Sequence, residues 1–489
     1  MKFRRLSRCF CFRSLLPLAL VATLVGPSAV RGQQTAPAQR PNILVIIADD
    51  LGYGETGMMG NSEIPTPAID ALATDGVRCT AGYVTASYCS PSRAGILTGR
   101  YQSRFGYDVN PTGKRNLLPQ AGLPETETTF VQRLAKAGYA TGLMGKWHLG
   151  AAETKHPLRR GFEDFYGFLH EGHFYVPGPP YQGVLTMIRD TSLPAGQRRR
   201  EGDLIRGNYT PISEPAYDDD NPVLRGTEEI VEPDYLTDAI TDQAVRFIGE
   251  HAGDPFLLMV AYGAVHSPMQ ARHEDLEELR WIKDDQRRIF AGMLVALDRG
   301  VARLREAIAD NGLSRRTLIV FVSDNGGPTA ELTSSNAPLR GGKGTLYEGG
   351  IRVPMIWTMP GRLPAGRMEA RPVLSLDIAA TALDLAGLSP AEEMDGKSLL
   401  SWINHPSREH AHQDLFWRMP GGKLAFRSGN WKIVRPRKND PIELYHLASD
   451  ASEKRNLVND HPEKLGELIN KWLAMNARMA DPIELPRVK

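Results

Sequence analysis

The chain is 489 residues long, more than one hydrophobic core usually serves, so two domains or one large domain with an appendage are expected. Hydrophobic residues at 42% and charged residues at 24% make an ordinary globular balance. A formal net charge of +1 supplies no global field of the kind that draws nucleic acid.

The N-terminus reads as a targeting segment. Met1 to Arg8 is basic, Ser14 to Val25 is apolar, and small residues follow at Gly26, Ser28, Ala29 and Gly32. That is the layout of a secretory signal over residues 1–32, with an apolar run too short to span a bilayer well. An uncleaved membrane anchor is the alternative, and Arg4-Arg5 is a weak sign of a twin-arginine route. No later stretch looks transmembrane. The mature protein is expected to be exported, periplasmic or extracellular, with no stable membrane span. Cys9 and Cys11 fall inside the signal, which leaves Cys79 and Cys89. These two could pair in an oxidising compartment, or Cys79 stands alone as a buried thiol.

A Gln/Ala/Pro-rich linker covers residues 33–40, and the fold then begins sharply. Asn42 to Ala48 is a continuous apolar run rich in β-branched residues, the habit of a parallel strand buried on both faces. Helices are expected over 68–74, with Pro67 in the first turn, and over 127–137, stopped by Gly138. Strands are expected over 139–144, 256–262 and 318–322. A helix is expected over 286–309, where Ile289, Met293, Leu297, Val301 and Leu304 recur at helical spacing. Strand and helix alternate, so residues 41–394 are expected to form an α/β domain with a large mixed, mostly parallel central sheet flanked by helices.

Residues from about 154 to 234 break this rhythm with many Pro and Gly residues, a basic cluster (Arg198-Arg199-Arg200) and an acidic one (Asp218-Asp219-Asp220). They read as a long irregular insertion, either a wall of the substrate cleft or a solvated excursion. Asn208-Tyr209-Thr210 is a glycosylation sequon only if the source organism glycosylates. Over 395–489, short strands at 415–418, 423–427, 431–434 and 443–446 are joined by turn residues, and a helix over 462–478 follows. This is a smaller antiparallel α+β domain.

Ligands of open parallel sheets bind beyond the carboxyl ends of the strands. Four apolar runs lead there into polar residues: Asp49-Asp50, Lys146-Trp147-His148, His266-Ser267-Pro268 and Asp324-Asn325. Asp49, Asp50, Asp324 and Asn325 offer oxygen ligands only, which suits Ca²⁺ or, second, Mg²⁺. Either pair alone would serve as a turn or a helix cap; two pairs at two strand ends favour a cation. Lys146 and His148, two apart on an extended segment, would share a face. Lys343 sits in a glycine-rich loop, Gly341-Gly342-Lys343-Gly344, and by itself could be a flexible surface lysine.

The most specific string is Cys89-Ser90-Pro91-Ser92-Arg93-Ala94-Gly95-Ile96-Leu97-Thr98-Gly99-Arg100. Pro91 suits a first helical turn with Ser90 as cap, placing residue 89 at a helix N-terminus, where an anion is favoured. Taken alone, Cys89 could be a small buried side chain. With its neighbours it resembles the signature of type I sulfatases, within the alkaline-phosphatase-like superfamily. The resemblance runs from Asn42 to about Trp472 and takes in Asn42 to Leu51, Gly145 to His148, His266 to Pro268, Ser323 to Gly326, Gly342 to Gly344 and Trp431 to Tyr445.

The resemblance implies that a formylglycine-generating enzyme oxidises Cys89 to formylglycine. It implies Ca²⁺ on Asp49, Asp50, Asp324 and Asn325, with residue 89 at the same ion. Arg93 would hold the hydroxyls of the hydrated aldehyde, and Lys146 and Lys343 would bind sulfate oxygens. His148 would act as base on the hydrate, and His266 would protonate the leaving oxygen. The implied substrate is a sulfated carbohydrate or an aryl sulfate. Alternatives are a phosphonate or phosphate ester hydrolase of the same superfamily, a sulfated-glycan binder without catalysis, or a transferase. The stretch Gly167 to Tyr175, rich in aromatic and histidine residues, suits a sugar-facing wall or core packing.

Overall fold

Asn42–Ala48 is a strand with every residue buried, because its side chains alternate between two apolar layers. Leu44, Ile46 and Ala48 enter one core cluster; Ile43, Val45 and Ile47 enter another on the opposite face of the sheet. The computed structural model describes residues 40–208, 217, 220–405, 411–486 and 488. The expected signal with Cys9 and Cys11, the linker up to residue 39, Tyr209 and Thr210 of the sequon, and Asp218 and Asp219 lie outside the described residues.

The sheet around that strand has ten strands among the described residues. Asp164–Phe168, Ala140–Lys146, Phe256–Ala261, Asn42–Ala48 and Thr317–Ser323 lie side by side and parallel. Beyond Thr317–Ser323, Met355–Thr358 pairs antiparallel with it, and Val77–Cys79 pairs antiparallel with Met355–Thr358 in turn. The α/β class with a mostly parallel sheet is therefore observed. Register is what matters for the site. Gly145 pairs with Ala261, Ala261 with Ile47, and Ile47 with Val322, so these four strands end on one line.

The expected helix over 286–309 is Asp285–Asp310, which buries Ile289, Met293, Leu297, Val301 and Leu304. The helix expected over 127–137 is shorter, Phe130–Lys136. Thr129 and Gln132 form a capping box there, and Glu127 is drawn off to pair with Arg100. Residues 154–234 are not irregular, as expected, but carry short strands. Asp164–Phe168 and Val223–Arg225 join the main sheet, while Val184–Arg189, Leu204–Gly207 and Arg198–Glu201 form a second sheet with Met269–Arg272. Pro and Gly concealed these strands because each lasts only a few residues between turns. The basic cluster is neutralised on the surface: Arg198 pairs with Asp284, Arg199 with Glu201 and Arg200 with Asp285. Among the described residues, no helix is long and apolar enough to cross a membrane.

Four antiparallel strands, Asp414–Met419, Lys423–Ser428, Trp431–Arg435 and Glu443–His446, form the C-terminal sheet, and the helix Pro462–Asn476 follows. A buried polar network ties the sheet to the loop that carries Lys343. Lys432 Nζ lies 2.8 Å from both Glu348 Oε1 and Glu453 Oε1, and all three side chains are fully buried. Glu348 also accepts from Tyr83 at 2.6 Å and Arg352 at 3.3 Å, and its own N–H donates to Glu453 Oε2 at 2.6 Å. Removing one partner of such a network leaves buried like charges facing each other. Lys432→Met is expected to cost about 3–5 kcal/mol of unfolding free energy by denaturant titration; a loss below about 1 kcal/mol would show that the glutamates hold without the cation.

The helix Pro67–Asp75 lacks a side-chain cap from Thr66. Instead Asp298, from the long helix, accepts from Ala68 N at 3.0 Å and Ile69 N at 2.8 Å. Burial nevertheless pushes the Asp298 carboxyl up to about 6, against the pull of those two N–H groups. A raised carboxyl holds its proton better folded than unfolded, so its contribution is full below about pH 4 and is lost as pH rises through about 6. Relative to Asp298→Asn, the wild type should lose up to about 3 kcal/mol between those limits. A pH-independent difference between the two proteins would refute this.

Candidate active site

The aligned strand ends deliver the polar residues to one place. Asp49 and Asp50 follow Asn42–Ala48, Lys146 ends Ala140–Lys146, and Asp324 and Asn325 follow Thr317–Ser323. His266 stands five residues past the end of Phe256–Ala261. Lys343 arrives from a separate loop, which is seated by backbone-to-backbone packing. A Cβ on Gly326 would lie 1.8 Å from the Gly349 oxygen, so only glycine allows that loop to close on Asn325.

Cys89 is the first residue of the helix Cys89–Thr98, in which every residue is buried. Ser90 is not the cap, contrary to expectation. Tyr88 occupies the cap position without a side-chain bond, and Ser90 N donates to Asn110 Oδ1 at 3.1 Å. The Ser90 hydroxyl donates to the His148 carbonyl at 2.6 Å. Gly99, at φ +66°, ends the helix by donating to the Gly95 carbonyl.

Cys89 Sγ donates to Asp49 Oδ1 at 3.3 Å, and Lys146 Nζ donates to Asp49 Oδ2. Asp50 accepts from Lys343 Nζ at 2.8 Å and Asn325 Nδ2 at 2.6 Å. Asp324 holds Arg93 through Nε at 2.9 Å, and Arg93 Nη1 donates to the Lys146 carbonyl at 2.9 Å. The ten positions singled out by motif, Cys89, Arg93, Lys146, His148, His266, Lys343, Asp49, Asp50, Asp324 and Asn325, thus come together in one cluster, all buried except the half-buried Lys343.

Lys146 and His148 do not share one extended face. The chain turns at His148, which sits at φ +55°, and Asp50 is likewise left-handed at φ +63°. Such conformations cost energy in non-glycine residues and persist where the surroundings impose them. His148 Nε2 donates to the Pro111 carbonyl at 2.8 Å, which leaves Nδ1 buried, bare and unpartnered. His266 Nδ1 donates to the Ser267 carbonyl at 2.6 Å, and its Nε2 lies 3.6 Å from Asp50 Oδ2.

Burial, then Lys343, holds His266 down near about 4, and burial with Lys146 holds His148 well below its ordinary value. Both rings are neutral at pH 7. Burial, then Asp49, pushes the Cys89 thiol well above its ordinary value, so as encoded it is a protonated, unreactive thiol. Burial, reinforced by Asp49, pushes the Asp324 carboxyl up, whereas Lys343 and His266 outweigh burial at Asp50 and hold it down. Cys79 is free and buried, and burial raises its thiol too; it is not paired with Cys89.

The donor set fits a hard cation. Asp49, Asp50, Cys89 and His266 place ligand atoms within 4.8 Å of one another. Asn325 Oδ1 is buried with no hydrogen-bond partner, an acceptor placed where a cation would satisfy it. Asp324, expected as a ligand, is occupied by Arg93 and stands outside that group of four.

A cavity of about 530 Å³ opens above Cys89, His266 and Lys343. Its walls include Asn110, Arg115, Glu171, Tyr217, Glu331 and Pro420, none of which the sequence singled out for this site except Glu171. Of the stretch Gly167 to Tyr175, only Glu171 reaches this cavity; Phe168 and Tyr175 are packed in the core. Tyr175 instead supports the site from behind, its hydroxyl donating to the His266 carbonyl at 2.9 Å.

Residues 41–388 match the family Sulfatase, and residues 342–478 match the C-terminal part of N-sulphoglucosamine sulphohydrolase. The chain belongs to the sulfatase family. It is 34% identical to human arylsulfatase D, over 78% of this chain and 72% of that protein. It is 32% identical to N-acetylgalactosamine-6-sulfatase of Canis lupus familiaris, over 77% of this chain and 68% of that protein. Among solved structures it resembles Ps i-CgsB in complex with k-i-k-neocarrahexaose, with a TM-score of 0.79 and 32% identity over 91% of this chain and 94% of that one. The protein is accordingly a sulfatase-family enzyme, a hydrolase of sulfate esters.

An ion bound by the strand-end carboxylates stabilises the fold that assembles them. CaCl2 is expected to raise the melting temperature of the wild type and to raise that of Asp50→Asn far less. Equal rises in both proteins would place the ion elsewhere.

Proposed function

We propose that this sulfatase uses formylglycine at position 89 and a Ca²⁺ ion to cleave sulfate monoesters of carbohydrates. The observation that carries the reading is the position of Cys89: first in a buried helix, 3.3 Å from Asp49, on the floor of the cavity beside His266 and Lys343. A thiol this well buried and protonated is a poor nucleophile as encoded, so the reading requires residue 89 in its converted form. Because the helix is buried throughout, the formylglycine-generating enzyme would have to act before that helix packs. Residues 1–32, as a secretory signal, would send the chain to the periplasm or beyond, where sulfated polysaccharides are met.

Asp49, Asp50, Asn325 and residue 89 would hold the Ca²⁺, with Asp324 joining if Arg93 shifts from it; the ion would offset negative charge on the sulfate oxygens. Oxidised and hydrated, residue 89 would offer two hydroxyls on one carbon, one to attack sulfur and one to expel sulfate afterwards. Arg93 would orient those hydroxyls. Lys146 and Lys343, already on Asp49 and Asp50, would neutralise charge on the sulfate oxygens. His148 Nδ1, bare at neutral pH, is suited to take a proton. His266 is neutral in the free enzyme; a bound anion beside it would favour protonation of Nε2, which could then pass the proton to the leaving oxygen. The relatives' names include N-acetylgalactosamine-6-sulfatase and a structure with k-i-k-neocarrahexaose, and the wall offers polar groups for sugar hydroxyls at Asn110, Arg115, Glu171 and Glu331 beside the aromatic faces of Tyr88 and Tyr217.

Mass spectrometry of the Cys89 peptide should find the mass of an aldehyde in place of CH2–SH. The matured enzyme should release sulfate from sulfated oligosaccharides much faster than phosphate from matched phosphate esters. Cys89→Ser should lose turnover and retain sulfate covalently. Faster phosphate release, or rapid multiple turnover by Cys89→Ser, would overturn the proposal.

A further inference from the structure

Arg115 is the one arginine among the described residues lining the cavity above Cys89. It forms no ion pair among the described residues. Its Nε is buried without a partner, and its Nη2 makes a single long contact, 3.5 Å, to the Leu485 carbonyl. Carboxylates line the same cavity, yet each is engaged elsewhere. Asp108 takes Arg418 at 2.6 and 2.9 Å, Glu171 takes Gly113 N at 2.6 Å and Asn116 Nδ2 at 2.7 Å, and Glu331 takes Ser267 Oγ at 3.2 Å. A guanidinium left unpaired beside such groups is unusual, because its planar fork matches a carboxylate or sulfate so well.

The segment that presents Arg115 is pinned to the reactive centre. Asn110 accepts from Ser90 N at the head of the Cys89 helix, and the Pro111 carbonyl accepts from His148 Nε2. Asn116 closes the following turn by donating to the Gly113 carbonyl at 3.0 Å, and its own carbonyl accepts from Ala151 N at 3.0 Å. The backbone that presents Arg115 is thus held at a set place relative to Cys89 and His148, while the guanidinium itself stays free to meet a ligand.

We propose that Arg115 is a specificity-determining residue that binds a second anionic group of the substrate, so that the preferred substrate is a polyanionic glycan. This rests on the sulfated-carbohydrate reading above. The second group is a sulfate ester or a carboxylate on the part of the glycan next to the ester being cleaved. An unpaired, partly buried guanidinium gains a partner only with such substrates, which makes the preference a difference in affinity.

The test compares kcat/KM for three sulfated disaccharides on the matured full-length enzyme: one with a single sulfate, one with a second sulfate, and one with a single sulfate and a uronic carboxylate. The wild type should prefer at least one two-anion sugar to the one-anion sugar, and the preferred arm identifies the anion. Arg115→Ala should lower that preference by at least about tenfold, and Arg115→Lys should fall between the two. The preference should also weaken with added salt. No wild-type preference, or equal losses on all three sugars in Arg115→Ala and Arg115→Lys, would overturn the inference and leave Arg115 as a prop for Leu485. If the wild type released no sulfate from these sugars or from 4-nitrophenyl sulfate, the sulfated-carbohydrate reading would fall, and the inference with it.

Discussion

Everything at this site depends on a single row of the central sheet. Because Gly145, Ala261, Ile47 and Val322 are in register, the residues just beyond them must meet: Lys146, Asp49-Asp50 and Asp324 past three of the strands are charged, and the fourth leads on to His266. Asp49, Asp50 and Asp324 are buried within reach of Arg93, Lys146 and Lys343. Three carboxylates and three cations balance, which is the condition for burying them at all. The balance is local as well as total, since each carboxylate has its own cation. What the pairing leaves over is acceptor capacity, most plainly the bare Asn325 Oδ1. A dication entering there would make the cluster net positive. That is the electrostatic state suited to a sulfate monoester and to the charge that builds on its oxygens.

The same balance explains why the C-terminal sheet is tied so firmly to the rest. Lys343 is the one cation of the three that reaches the cavity, and it sits on a loop without regular structure. The loop is clamped from both sides. Gly326 and Gly342 let the backbones of two loops touch, and Glu348, just beyond the loop, is held by Lys432 of the C-terminal sheet. Arg340, just before it, donates to Tyr445 of the same sheet at 2.9 Å. Lys423 Nζ donates to the Gly344 carbonyl at 2.6 Å. Four distant positions in sequence therefore set where one ammonium group stands.

The parts of this design that were legible in the sequence are those with a local physical signature. Runs such as Asn42 to Ala48 announce strands buried on both faces, and polar residues directly after them announce the site. The helix at Cys89 was legible from Pro91, but its capping was not. Ser90 has the right chemistry for a cap, yet the helix begins two residues earlier than such a cap would set it, and Asn110, twenty residues away, takes the Ser90 N–H. Asp298 replaces the cap of Pro67–Asp75 from 230 residues away for the same reason: the donor needs an acceptor, and tertiary structure decides which one. The strands within 154–234 escaped because hydrophobic alternation needs more residues than they have. The stretch from Gly167 to Tyr175 was open to two readings, since aromatic residues mark cores as well as sugar platforms; Phe168 and Tyr175 pack in the core behind His266, and Glu171 reaches the cavity.

The two histidines show how identical side chains are made to present opposite ring nitrogens by their backbone partners alone. A carbonyl can only accept, so each histidine must donate the nitrogen that faces one. Pro111 takes Nε2–H from His148, which bares Nδ1; Ser267 takes Nδ1–H from His266, which turns Nε2 toward Asp50 and the cavity. His148 is sealed at 0% exposure, among cations that keep it unprotonated. His266 lines the cavity, with Asp50 and Glu331 both favouring its charged form against the burial and Lys343 that oppose it. In the proposed reading, His148 as a buried base would need no solvent contact once its partner is delivered by the fold. A proton donor would have to meet the leaving group, and of the two rings only His266 lines the cavity.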